Sequence, residues 1–172
     1  EQPSYLFFWG HKPLENGEIG KPCFSQWWPA SFSIDDVSYR TAEHFMMAEK
    51  ARLFGDEQAR AQILKADGPK TAKQLGRKVT NFDEAVWQAE RFQLVVKGNH
   101  AKFSQNLKLG AFLLSTGEKV LVEASPVDRI WGIGLSATDE LAMNPERWRG
   151  LNLLGFALME VRQLIREGQQ TG

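Results

Sequence analysis

The chain has a single cysteine, Cys23, so no intrachain disulfide can form, and the sequence reads as that of a cytoplasmic protein kept in a reducing compartment. It has no apolar run near the ~18 residues that a membrane helix needs, which predicts no membrane partner. Residues 1–12 lack the basic stretch and small-residue cleavage site of a secretory signal. Net charge is missing too, with 21 Lys and Arg against 21 Asp and Glu. Since 42% of the residues are hydrophobic, disorder is excluded for the bulk of the 172-residue chain. No GxSxG, P-loop lysine or GxGxxG motif is present, so serine-hydrolase, P-loop and dinucleotide-fold readings lack support. The three histidines, His11, His44 and His100, share no metal-ligand spacing, so neither a metal nor a cofactor is expected.

What is present predicts one compact domain over residues 1–172. Residues 5–9 form a short apolar run consistent with a strand, followed by a long loop over 13–29. Residues 31–39 read as a small hairpin turning at Asp35-Asp36. Thr41 is placed to cap a helix that ends at Gly55, and Asp56 to cap the next. Pro69 suits the first turn of a short helix ending at Gly76. Asp83 opens the longest helix, where Ala85, Ala89, Phe92 and Val96 set an apolar stripe that Phe103 continues. A helix over 107–114, a strand over 120–124 and a last helix burying Leu154, Leu158, Val161 and Ile165 complete the pattern. The fold class is α+β, mostly helical with a few short strands.

Charge is unevenly spread: residues 69–108 hold 8 Lys and Arg against 3 Asp and Glu. Such an excess is either a solvated helix face or an attractor of phosphates. Six Trp accompany only two Tyr, and Trp27, Trp28, Trp131 and Trp148 lie in polar or glycine-rich segments. Four such residues together point to a site for a flat ligand.

Two stretches carry candidate chemistry. In Thr41-Ala-Glu-His-Phe-Met-Met-Ala-Glu-Lys50, Glu43 and Lys50 fall on nearly one helical face with Met47 between them. They are either a surface ion pair or polar groups on a pocket wall. In residues 123–134, Glu123 ends a strand, and Asp128, Arg129 and Trp131 precede Gly132 and Gly134. An acid, a base, an aromatic plate and bare backbone suit a ligand loop; a tight connection needing two glycines is the other reading.

The ordered set Phe24-Ser25-Gln26-Trp27-Trp28-Pro29, Tyr39-x-Thr41-x-Glu43-His44-Phe45-x-x-Ala48-x-Lys50, Gly76-Arg77, Trp87 and Lys102-Phe103 continues with two blocks. These are Glu123-x-Ser125-Pro126-x-Asp128-x-x-Trp131-Gly132-x-Gly134 and Gly150-x-Asn152-x-Leu154-Gly155-x-x-Leu158-Met159. Together they resemble the NADAR family, which includes the YbiA-like N-glycosidases, over roughly residues 5–166. Gln26, where Asn is common, and Met46-Met47, in place of a more polar Phe-Gln pair, depart from the family pattern.

The resemblance implies hydrolysis of a bond between ribose C1′ and nitrogen. The substrate it implies is ADP-ribose on guanine in nucleic acid, or a phosphoribosylamino-pyrimidine intermediate of riboflavin synthesis. A non-catalytic ADP-ribose reader is the third reading, and an ADP-ribosyltransferase toxin is an implied partner of the first. Cleavage develops positive charge at C1′ and O4′, which a carboxylate stabilises. Lys50 is assigned as nucleophile or sugar contact, Glu43 as its proton partner, and Asp128 or Glu123 as electrostatic stabiliser. A neutral amine requires that burial outweigh nearby carboxylates. Arg77 and Arg129 are assigned to phosphate, with Gly132 and Gly134 offering amides, and Lys102 is either a phosphate contact or part of a solvated face. Trp28 and Trp131 are assigned to stacking, Trp87 to the core, and Ser25 to the ligand-binding set. Asn152 caps the final helix or reaches ligand.

Overall fold

The computed structural model describes residues 2–171. Its strands are β1 (Tyr5–Phe8), β2 (Phe32–Ile34), β3 (Val37–Tyr39) and β4 (Val120–Glu123). Its α-helices are α1 (Ala42–Leu53), α2 (Glu57–Lys65), α3 (Pro69–Gly76), α4 (Glu84–Gln105), α5 (Leu107–Ser115) and α6 (Leu153–Thr171), with short 3-10 turns at Lys21–Phe24, Glu140–Met143 and Pro145–Arg147. This is the α+β, mostly helical fold that the pattern predicts. The chain divides into two compact units, one of Glu1–Ser25 with Leu107–Gly172, the other of Gln26–Asn106.

In the second unit, β2 and β3 pair antiparallel, with Phe32 opposite Tyr39. Asp35 and Asp36 both take left-handed backbone (φ 50° and 66°), the geometry of the tight hairpin turn that Asp tolerates best after Gly and Asn. Thr41 caps α1, its hydroxyl accepting from the His44 amide at 3.2 Å. Asp56 and Asp83 cap α2 and α4 in the same way. Helices α2, α3 and α4 all pack on α1, and its residues 42–49 are buried on every side. A helix enclosed this fully is normally apolar all round. Here it carries Glu43, His44 and Glu49 inside, so their solvation must be replaced by specific partners.

The stripe expected on α4 holds at Val96 and Phe103, which are buried, and fails at Ala85 and Ala89, which are exposed; the buried face also takes in Trp87, Arg91, Leu94, Val95, Gly98 and Lys102. Two basic residues sit on that inner face and disguise its period, while exposed alanines cost the outer face nothing.

His44 is held between the Thr41 hydroxyl, 2.7 Å from Nδ1, and the Ala66 carbonyl oxygen, 3.0 Å from Nε2. Burial is the main cause that pushes its pKa below the ordinary histidine value, and Arg40 adds to the shift. A histidine kept neutral in the folded state contributes stability above its unfolded pKa of about 6.5. As pH falls through that value, the unfolded chain takes up a proton that the native one refuses. Urea midpoints are therefore expected to drop between pH 7.5 and 5.5, and a His44→Gln protein to lose this component of the drop.

In the first unit, β1 and β4 pair parallel in the register Tyr5 with Val120 through Phe8 with Glu123. Helix α6 packs on β4 with Leu154, Leu158 and Val161 buried, and Ile165 is only half-buried. A cluster of Val122, Ala124, Ile133, Leu135 and Ala142 anchors the long connection that leaves β4. Both strands end at the same edge, so the segments after Phe8 and after Glu123 leave side by side, the position at which parallel sheets place ligand-binding loops.

Candidate active site

In the second unit the polar residues of α1 converge with α3 and the start of α4. Glu43 is 4% exposed, so it is not half of a surface ion pair. Its backbone amide donates to the Gln26 carbonyl oxygen at 3.0 Å, and the Gln26 side chain accepts from Asn99 Nδ2 at 2.8 Å. The position that departs from the family pattern is thus held by a long-range partner on α4.

Lys50 is half-buried, and its ammonium lies 4.7 Å from the Phe82 ring centre and 5.7 Å from that of Trp87. Phe54 meets Phe82 edge to face and fixes that ring. Burial is the largest influence on the amine and pushes its pKa below the ordinary lysine value; Glu84 and then Glu43 pull it back up, and Arg77 pushes it down. Two flat rings thus shield part of the amine while carboxylates remain within electrostatic reach. Phe82 and Trp87 are the aromatic neighbours of the amine. Met47 packs on α3, where a Cβ on Gly76 would lie 2.0 Å from its sulfur, so the glycine lets the two helices approach.

Trp87, assigned to the core, is buried and is also part of the amine's wall. Phe82 and Glu84 were not visible as site residues in the sequence. Glu84 follows the Asp83 cap, and an acid in a first helical turn reads as dipole compensation. Arg77 is exposed at the C-terminus of α3, where its charge still reaches Lys50. Lys102 is corrected: at 0% exposure it belongs to no solvated face. Trp28 is half-buried.

The first unit assembles the other predicted residues around the end of β4. The Glu123 amide donates to Asn152 Oδ1 at 2.9 Å, while Asn152 Nδ2 donates to the Leu121 carbonyl oxygen at 3.0 Å. Asn152 therefore clamps β4 and is not a side-chain cap for α6; both ends of its amide are engaged with strand backbone. Asp128 Oδ1 accepts from the amides of Ile130 (2.9 Å) and Trp131 (2.8 Å), and its own amide donates to the Ser125 hydroxyl at 3.0 Å. One oxygen of this carboxylate is thus committed to shaping the loop that presents the half-buried Trp131.

The amide of Gly134 is corrected as a phosphate ligand, because it donates to the Asp128 carbonyl oxygen at 3.1 Å. A Cβ on Gly132 would sit 2.9 Å from the Glu123 carbonyl oxygen, so the tight-connection reading accounts for this glycine. Arg129 is exposed, and Ser25 is half-buried after the 3-10 turn. Beside the end of β1 opens a mostly apolar cavity of about 680 Å³, walled in part by Phe7, Trp9, Leu14, Ile19 and Phe112. Trp9 is 62% exposed at its lip and was read in the sequence only as the end of a strand. Flat apolar walls of this size suit a nucleobase.

Among the described residues no group of three His, Cys, Asp or Glu is arranged to hold a metal ion, and no helix is long and apolar enough to cross a membrane. The lysine environment sets a pH response. Glu84→Gln removes the carboxylate that most raises the Lys50 pKa, so a rate that needs the neutral amine is expected to reach its plateau at lower pH. Arg77→Gln is expected to move it the other way. Profiles of kcat/KM against pH check both signs.

The chain is similar to known proteins along most of its length. The NADAR domain family model matches residues 7–166. An N-glycosidase of Acanthamoeba polyphaga mimivirus is 42% identical over 99% of this chain and 99% of its own length. N-glycosidase YbiA of Escherichia coli is 32% identical over 80% of this chain and 76% of its own. The NMR structure of E. coli YbiA superposes with a TM-score of 0.78 at 27% identity, covering 100% of this chain and 90% of that one.

Proposed function

Because the chain belongs to the NADAR family, we propose that it is an N-glycoside hydrolase acting on a ribose C1′–N bond, and that its substrate is ADP-ribosylated guanine in nucleic acid. The observation that carries this reading is the half-buried Lys50 amine between Phe82 and Trp87, with its pKa lowered by burial. A lowered pKa gives the amine a larger neutral share, the form that acts as a nucleophile.

Lys50 Nζ attacks C1′ as the bond to the base nitrogen breaks, and the base leaves with its electron pair and takes a proton from water. Glu43 accepts the proton that the new C1′–N bond releases. Glu43 returns that proton to O4′ as the sugar ring opens at C1′–O4′, leaving a protonated imine to Lys50. Water adds to that imine carbon, the amine departs, and free ADP-ribose is released. Glu123 or Asp128 stabilises positive charge at C1′ and O4′. Trp28 and Trp131 are assigned to stacking on base or ribose, and Arg77 and Arg129 to the diphosphate. An ADP-ribosyltransferase that installs the mark is the partner this reading implies.

The test is chromatography of products after incubation with an oligonucleotide carrying ADP-ribosyl guanine. Release of ADP-ribose with restoration of the unmodified oligonucleotide is expected. Turnover of phosphoribosylamino-pyrimidine alone overturns the substrate assignment, and tight ADP-ribose binding without turnover of either overturns the enzymatic one.

A further inference from the structure

Helix α1 also borders a polar cavity, of about 380 Å³, on a different face from the Lys50 amine. At ~100° per residue, Glu49 and Arg52 lie about 100° and 160° around the helix from Lys50. The cavity is lined by these two residues with Tyr39, Arg60, Lys97 and Asp35, among others.

Its hydrogen-bonding inventory is lopsided. Glu49 is buried and takes an ion pair from Arg52 Nε, which neutralises its charge and leaves the two terminal guanidinium nitrogens of Arg52 as donors. Arg60 and Tyr39 line the cavity together, and burial is the main cause that raises the Tyr39 pKa, so its hydroxyl keeps its proton. Lys97 adds an exposed ammonium from α4. Against these donors stands the exposed Asp35 carboxylate on the hairpin tip. A concavity rich in donors and cations and poor in acceptors takes an anion that presents several oxygens.

We propose that this cavity is a phosphate subsite that holds a backbone phosphodiester of a nucleic-acid strand flanking the modified base. The assignment rests on the reading of the substrate given above and deepens it. The α1 cylinder is about 10–12 Å across with its side chains, so a ligand bound at both faces must be longer than one nucleotide. The subsite thus favours a strand over a free riboside. It also gives a role to part of the basic middle of the chain, since Lys97 is one of its 8 Lys and Arg.

The experiment uses the full chain and a labelled, unmodified single-stranded oligonucleotide, with anisotropy read at several salt concentrations. Arg60→Ala/Lys97→Ala is expected to bind on the order of tenfold more weakly. Its dependence of log K on log salt is expected to be shallower by about 0.7 for the one phosphate released. Asp35→Asn, which removes the opposing charge, is expected to bind more tightly. With ADP-ribosyl guanine, the double variant is expected to raise KM for the oligonucleotide about tenfold and leave kcat and KM for the mononucleoside unchanged.

Oligonucleotide binding and salt slope equal to those of the parent protein overturn the subsite. An equal rise in KM for oligonucleotide and mononucleoside also overturns it, because the cavity then holds the substrate's own phosphate. So does competition by inorganic phosphate that is lost in the double variant while oligonucleotide binding is kept. Failure of the parent protein to cleave either substrate is a failure of the functional reading, and the anisotropy arm decides the subsite independently. Matching thermal midpoints keep the double variant a fair comparison.

Discussion

Lys50→Ala is expected to lower the rate of N-glycoside hydrolysis by about 10³- to 10⁵-fold, with the thermal midpoint nearly unchanged. The size follows from the chemistry: without the amine, water must attack a sugar carbon that no covalent step has activated. The small structural effect follows from the surroundings, since Lys50 is only half-buried and its contacts with Phe82 and Trp87 contribute about 0.5–2 kcal/mol. Lys50→Arg keeps the charge and the ring contacts, so it separates binding from chemistry: a sugar contact survives it and a nucleophile does not. Borohydride added during turnover is expected to fix the sugar on Lys50 as a stable amine, visible as a mass increase on its peptide. A fully active Lys50→Ala protein would end the mechanism.

Asn152→Ala carries the largest expected effect on stability, a loss of about 3–5 kcal/mol. The side chain is 0% exposed and answers two backbone groups of β4, the Glu123 amide and the Leu121 carbonyl. Truncation leaves both without that partner, at roughly 1–3 kcal/mol each when buried. The Asn152 backbone is also left-handed (φ 53°), which asparagine tolerates better than alanine. Urea denaturation of the two proteins measures the difference. Asn152→Gly relieves the backbone and not the hydrogen bonds, so it is expected to recover only a minor part of the loss.

These two residues mark what the sequence disclosed and what it hid. Local grammar was legible: the Asp35-Asp36 hairpin, the Thr41, Asp56 and Asp83 caps, and Pro69 at a first helical turn all depend on a few adjacent residues. Lys50 and Glu43 could be paired because one helix carries both. Glu84 could not, because what makes it a neighbour of Lys50 is the packing of α4 on α1. The buried face of α4 was hidden for a related reason, as Arg91 and Lys102 occupy it where a pattern search expects apolar side chains. Asn152 was misread as a cap because a polar residue before a helix has that meaning locally. Its actual partners are 29 and 31 positions away. The glycines of residues 132 and 134 look like a phosphate cradle in one dimension, and only the hydrogen-bond pattern shows the Gly134 amide turned back on its own loop.

The parallel pairing of β1 with β4 joins residues 5–8 to residues 120–123. Everything in the 26–106 unit is therefore synthesised while the first strand still waits for its mate. Short-range contacts let that intervening unit settle early on the ribosome, whereas the flanking segments close only once residues 120–123 have been made. Until then the first strand exposes an apolar Tyr-Leu-Phe-Phe edge, which makes it a segment for chaperones to shield.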